Sequence, residues 1–443
     1  MKLWQKDKVS LDAVEKFTVG NDRELDILLA PFDVLGSLAH IKMLATVNLI
    51  SNDELHLLEK ELKKIYRETI ADNFKLDNDV EDIHSQVELM LTQRLGDMGK
   101  KIHSARSRND QVLVDLKLYL RSQIENTVNN TKNFFDLLIS LSEKHKQDLL
   151  PGYTHLQLAM PSSFGLWFGA YAESLVDDLI TLQAAYSVVN KNPLGSAAGY
   201  GSSFPINRKL TTDLLGFDDL NYNVVYAQMG RGKTEQVVAS ALANIASTLS
   251  KLSMDACLFL NQNFSFISFP DELTTGSSIM PHKKNPDVFE LIRSHCNRIK
   301  ALPNEIILIT TNLPSGYHRD LQLIKEHIIP AFKNINDCLQ MAVLMLSNIQ
   351  VKKDLLSDEK YKYLFSVEEV NKLVLQGIPF RDAYKMVGTS IQDQTFSFSG
   401  TPVHTHQGSI GNLCNADIQR MMTDIMQKFN FNKVKIALQQ LLS

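Results

Sequence analysis

The densest run of reactive residue types in the chain is Thr275-Gly276-Ser277-Ser278-Ile279-Met280-Pro281-His282-Lys283-Lys284-Asn285-Pro286. Gly276 lends backbone freedom and two hydroxyls follow. The run ends at a helix start, where free backbone N–H groups can bind an anion, and Lys283 and Lys284 add positive charge. A second polar segment, His103 to Gln111, offers Arg106 and Arg108 to a carboxylate and Asn109 to its other oxygen. The third, Gly152-Tyr153-Thr154-His155-Leu156-Gln157, sets one histidine among hydrogen-bonding neighbours. The fourth, Ser315 to Lys325, carries Tyr317, Gln322 and Lys325. Each alone reads as a cap, a structural histidine or a decorated helix. Only together do they carry weight.

The elements that position these segments are helices. Gly (20) and Pro (13) make up about 7% of the chain, below the ~12% of average usage, which excludes collagen-like and many-turned all-β designs. From Val112 to about Gln147 there is neither Gly nor Pro, and Leu116, Leu120, Ile124, Phe135, Leu138 and Leu141 form an apolar stripe. As one helix this run spans about 54 Å. Two more long runs follow, Ser162–Asn190 and Thr234–Asn263. A fourth starts after Asn285-Pro286, with Asn as N-cap and Pro as first helical residue. Upstream, Ser51-Asn52-Asp53-Glu54 is a capping-box start followed by Leu55, Leu58, Leu62 and Ile65 at helical spacing, and a further helix is expected from Asp79 through Leu95 to Gly96. Long helices joined by short loops predict an all-α protein. At 443 residues it should divide into three helical domains: 1–106, a central bundle 107–351, and a small unit 352–443. Any face left apolar after intrachain packing must be buried against another copy.

A net charge of −4 leaves no footprint for nucleic acid or an anionic membrane. Cys257, Cys296, Cys338 and Cys414 form no C-x-x-C pair and read as reduced thiols. Met1 to Asp7 lacks the apolar core of a signal peptide. The longest low-charge helical run, Gln236 to Ser250, falls short of the ~20 residues that cross a bilayer. A cytoplasmic location is expected.

Weighed together, the four segments resemble the argininosuccinate lyase family, within the aspartase/fumarase superfamily that also holds the delta-crystallins. Gly276–Pro286 is similar to the superfamily signature G-S-S-x-M-P-x-K-x-N-P, which is long and specific. Ser107-Arg108-Asn109-Asp110-Gln111 points to argininosuccinate lyases, since fumarases carry an S-S-N-D version there. Tyr153-Thr154-His155-Leu156-Gln157 and the Tyr317/Gln322/Lys325 spacing agree, and the likeness runs from about Phe17 to Ser409. It implies elimination of arginine from argininosuccinate to leave fumarate, with no cofactor or metal, in a homotetramer of long helices whose sites are shared between subunits. It implies that Ser277 removes the carbon-bound proton and that His155 transfers a second proton near the leaving nitrogen. Thr18, Arg108, Asn109, Thr154, Asn285, Tyr317, Gln322 and Lys325 fall at substrate-holding positions.

The chemistry suits these residue types. A proton must leave a carbon beside a carboxylate, giving a doubly charged aci-carboxylate that needs fixed donors and a cation. Lys283, Asn285 and the N–H groups after Ser277 can supply them. Serine is a poor base unless its alkoxide is stabilised, so the same loop must do that as well.

Several features depart from the family pattern. Thr18 stands for a serine if Asp22 is the aspartate that follows it, in a shortened segment 17–22. The stretch 221–233 lacks the S-x-R-D-like run, and His282 and Met160 replace commoner glutamines. Ala227 to Thr234 imitates a phosphate-binding P-loop, but Asn221–Tyr226 is a poor strand and no Walker-B aspartate follows Ile306–Thr311. His404 and His406 lack nearby Cys or carboxylate partners for a metal. A sister lyase acting on another succinylated amine, or a non-catalytic helical homologue, are the competing readings.

Overall fold

The computed structural model describes residues 12–71, 74–77, 80–402 and 404–443, so Met1–Asp7 and Asp79 lie outside the described residues. The chain opens with α1 (Asp12–Val19), α2 (Asp22–Thr46), α3 (Asn52–Thr69), α4 (Ile83–Leu95) and the single turn α5 (Asp97–Lys100). The long helices follow: α6 (Arg108–Lys144) and α7 (Phe164–Val189), then the short α8 (Arg208–Leu214) and α9 (Val224–Met229), then α10 (Lys233–Leu260), α11 (Asp287–Thr310) and α12 (Ile324–Ser347). The chain closes with α13 (Ser366–Leu375), α14 (Phe380–Gln392), α15 (Asn415–Gln427) and α16 (Phe431–Leu442). The fold is all-α, with strands confined to short hairpins and bridges among the described residues.

The starts of these helices follow local chemistry. Ser51 and Glu54 cap α3 reciprocally, and Ser107 with Asp110 does the same for α6. The α4 start differs from expectation: the Asp82 carboxylate accepts the Ser85 N–H at 2.8 Å, so the cap is Asp82 and the first helical residue Ile83. Asn285 does not cap α11. It pairs with Thr275 in a two-residue hairpin, which leaves Pro286 at the cap position.

Five helices, α6, α7, α10, α11 and α12, make the central bundle. On α12 the side chains Ile328, Phe332, Ile335, Leu339, Ala342 and Leu346 alternate at spacings of four and three and are all completely buried. That seam is what bundle packing requires. Truncating Leu339 there to Ala would cost about 2–5 kcal/mol. A second cluster joins α2, α3 and α4, with Leu58, Leu62 and Ile65 from the expected stripe. A third, small one gathers Val370, Ala383, Val387 and Phe396 around α13 and α14. Ile418, Met422 and Ile425 of α15 pack into the central bundle, and Leu441 of α16 into the second cluster.

Two helices, α2 and α10, are long and apolar enough to cross a membrane by length and composition, because α10 continues through Lys251 and Asp255 beyond the low-charge run. Most of each apolar window is buried inside the fold, 72% and 61%. Core helices have this character. Outward-facing Ile180, Met254, Leu291, Leu308, Met341 and Leu344 leave apolar surface on the bundle itself.

The bundle separates its ends by a long way. The 37 residues of α6 run about 55 Å and the 28 of α10 about 42 Å. The start of α10 meets the end of α11 at Gly232 and Thr310. The other end of α10 meets the start of α11, where the Arg293 guanidinium reaches Met254 Sδ at 3.0 Å. This antiparallel arrangement decides which functional segments share a neighbourhood.

Candidate active site

At one end of the bundle an open cleft of about 230 Å³ lies where the starts of α2, α4 and α6 meet the 316–325 segment. Arg108, Asn109, Tyr317, Gln322 and Lys325 all line it. The Arg108 guanidinium donates to Asp82 Oδ2 at 2.7 Å and Ser85 Oγ at 2.5 Å, both in the α4 cap. Lys325 Nζ sits 2.8 Å from Asp22 Oδ1 and 2.7 Å from Asp26 Oδ1, one helical turn apart on α2. Burial, reinforced by Asp26, lifts the Asp22 carboxyl to about 6 against the pull of Lys325. The Gln322 amide donates to the carbonyls of Thr18 and Val19 at 3.0 and 3.1 Å, tying the 319–325 turn to the α1–α2 junction. Thr18 itself turns its hydroxyl to Val14 O at 2.9 Å, and Val19 rather than Thr18 lines the cleft.

Several residues of this cleft are not signalled by the sequence. Asp26, Glu81, Asp82, His84 and Arg231 come from three separate stretches. Arg231 lies inside the P-loop imitation: it is buried, donates to Leu321 O at 3.2 Å, and its guanidinium stands 5.7 Å from the Tyr317 ring centre. The only advance signals are Asp22 and Asp26 at helical i, i+4 spacing and Asp82 at a cap. With four acidic and four basic side chains facing one space, the cleft suits a ligand that carries both signs of charge.

Arg106 corrects an expectation. Ala105 takes a left-handed backbone, φ 62°, and turns the next side chain inward. Arg106 is buried, donates to Ser37 Oγ at 3.1 Å and is absent from the cleft. The P-loop imitation also resolves: its first residues, Ala227 to Met229, belong to the short helix α9 where a strand would be needed before it, and Glu235 Oε2 accepts the Gly232 N–H at 2.7 Å, so the α10 start is capped from within. His404 does have a carboxylate partner, Glu368 Oε1 at 2.9 Å, from 36 residues away.

Thr154 and His155 lie elsewhere, on the tip of a hairpin of β1 (Leu149–Thr154) and β2 (Gln157–Ser163). Both central turn residues, His155 (φ 54°) and Leu156 (φ 59°), are left-handed, as a type I′ turn demands. Neither is Gly or Asn, so the turn holds its histidine at a cost of about 1 kcal/mol per residue. The tip is exposed, with Leu156 at 80%. Just below the tip, Tyr153 packs on Phe264, just past the far end of α10.

Ser277, Lys283 and Asn285 sit on a hairpin in which Gly276 pairs with Lys284. The Ser277 Oγ accepts N–H bonds from Ile279 at 3.3 Å and Met280 at 3.1 Å. Two such donors stabilise an oxyanion at that atom. Thr275 Oγ1 bonds Asp287 and Lys284 pairs with Asp271, holding the hairpin base. Ser278, Ile279, Pro281, His282 and Lys283 are all exposed. With so few buried contacts the loop should exchange its amide hydrogens quickly when empty and slow on binding a dicarboxylate. Equal exchange across 275–285 with and without fumarate would remove its role as a closing lid.

One chain therefore gathers Arg108, Asn109, Tyr317, Gln322 and Lys325, and sets the His155 hairpin and the Ser277 loop at the other end of its long helices.

The family model described as Lyase matches residues 6–301. EDDS lyase in complex with formate superposes with a TM-score of 0.76 at 20% identity, covering 96% of this chain and 94% of that one. A fumarate lyase:delta crystallin from Brucella melitensis gives 0.71 at 15% identity, covering 92% and 91%. These two show the shared fold. Fold and matched model together define a helical lyase. Argininosuccinate lyase of Parabacteroides distasonis is 61% identical over 441 residues, covering 100% of this chain and 99% of that one. The chain belongs to the argininosuccinate lyase family.

Proposed function

We propose that this protein reversibly eliminates L-arginine from argininosuccinate, leaving fumarate, as a step of arginine biosynthesis. The observation that carries the reading is the 61% identity to an argininosuccinate lyase over the full length. Ser277, His155, Lys283 and Asn285 all stand at the motif positions the chemistry needs. Ser277 Oγ takes the proton from the succinyl carbon beside a carboxylate. The electron pair moves into that carboxylate as the aci form, which Lys283 and Asn285 stabilise. Collapse breaks the C–N bond and forms the double bond of fumarate, while His155 manages the proton at the departing guanidinium nitrogen. Arg108, Asn109, Thr154, Tyr317, Gln322 and Lys325 hold the substrate, with Thr18 at the edge of the cleft. Incubation with argininosuccinate should release fumarate, followed by its ultraviolet absorbance. No fumarate at high enzyme concentration would end this reading.

The cleft gives a pH dependence with a definite sign. We place the α-ammonium of the arginine end toward Asp22 and Asp26. Asp22 ionises around pH 6, so KM should fall by up to ~10-fold as pH rises from 5 to 7. An Asp22→Asn enzyme should lose that slope. If it keeps the wild-type slope, the ammonium does not lie there.

The working unit is proposed to be a cytoplasmic homotetramer. The separation of the His155 hairpin and Ser277 loop from the cleft, with apolar side chains left on the bundle surface, supports a site completed by other subunits.

A further inference from the structure

A buried cluster beneath the cleft has no part in the steps above. The first turn of α4 carries Asp82 and Ser85, which clasp Arg108, and His84 between them turns inward. His84 Nδ1 stands 2.7 Å from Asp33 Oδ1 on α2 and 3.5 Å from Asp115 Oδ2 on α6. All three residues are more than nine-tenths buried, at 8%, 2% and 0% exposure. Asp33 Oδ2 and both Asp115 oxygens find no hydrogen-bond partner among the described residues. Two carboxylates this close, in an interior that screens charge poorly, must either share a proton or hold positive charge between them.

We propose that His84 is a positioning residue: as an imidazolium shared by Asp33 and Asp115, it pins the first turn of α4 onto α2 and α6 and so aims Arg108 into the cleft. The inference rests on the proposed role of Arg108 as a substrate-holding group. Burial alone would lower the imidazole, but Asp33, then Asp115 and Asp82, raise it to about 9. Burial and the Asp33 charge push the Asp115 carboxyl upward. The other charged groups facing the cluster are Arg106, in the connection before α6, His103 beside it, and Asp26 on α2. Burial works against Asp82, yet His84 and Arg108 hold it below the usual carboxylate range. Because the folded-state value lies above the ordinary one, the anchor is complete below about pH 6.5 and is lost as pH rises through about 9.

The same ligand atoms lie within 4.8 Å of one another and would also suit a divalent ion, which needs a neutral histidine. Melting curves and kinetics separate these cases. The melting-temperature difference between wild type and His84→Gln should be largest at and below about pH 6.5, shrink progressively as pH rises from there, and be nearly gone above about pH 9. A difference independent of pH would mean a merely structural side chain and overturn the proposal. Zinc or cobalt added to the enzyme should leave the wild-type melting temperature unchanged. A metal-dependent rise that vanishes in His84→Gln would overturn the proposal in favour of a metal site. In kinetics, His84→Gln should raise KM by at least ~10-fold with kcat within ~3-fold. Adding Asp115→Asn, which removes the unpaired carboxylate, should bring KM back toward wild type and gives a folded variant if the single one fails. Unchanged KM in His84→Gln, or no recovery in the double variant, counts against it. Absence of fumarate from wild type would sink the lyase reading instead, and the melting curves would still report on the anchor.

Discussion

Ser277→Ala should bind argininosuccinate almost as well as wild type and turn it over at least ~10³ times more slowly. The serine oxygen meets the carbon-bound proton only as that bond breaks, so its removal takes away stabilisation of the transition state and spares the ground state. The loop geometry favours this oxygen as a base. The N–H groups of Ile279 and Met280 already point at it from 3.3 and 3.1 Å, so negative charge arising there meets fixed donors. Alanine keeps the loop's backbone and loses only the oxygen. Single-turnover rates with saturating substrate would read the effect directly. A variant retaining a tenth of wild-type turnover would rule out Ser277 as the proton-transfer residue.

Much of the architecture is legible in the chain itself. A run without Gly or Pro could only be a long helix, and α6 spans Arg108–Lys144. Ser51 with Glu54 and Ser107 with Asp110 announce helix starts through side chains that satisfy N–H groups locally. The hairpin at 149–163 is not legible. Pro151, Gly152 and Pro161 fall inside its strands, and its turn uses His155 and Leu156 where Asn and Gly are the usual signal. Register across such a hairpin is set by tertiary packing on Phe264, which no local pattern reveals.

The site divides in the same way. Residue types and spacing bring out Ser277, His155, Lys283 and Arg108, because motif chemistry is local in sequence. Arg106 misleads because a guanidinium two residues from Arg108 looks equivalent until the left-handed Ala105 turns it into the core. Asp26, His84 and Arg231 escape notice because each reads as an ordinary helix charge, cap neighbour or loop residue. Their meaning lies in partners far away in sequence: Lys325 for Asp26, Asp33 for His84, Tyr317 for Arg231.

The central claim is that a working site joins the Arg108 cleft of one subunit to a Ser277 loop and a His155 hairpin from two others, since both of these lie the length of the bundle away from the cleft of their own chain. The most direct measurement mixes two dead enzymes. Ser277→Ala and His155→Asn should each be nearly inactive when assembled alone. Unfolded together in equal amounts and refolded, they should recover roughly a quarter of wild-type activity, because each intact residue reaches a given site with a chance of about one half under random closed assembly. If the mixed sample forms proper tetramers yet stays as inactive as its parents, Ser277 and His155 come from one chain and the three-subunit account is wrong.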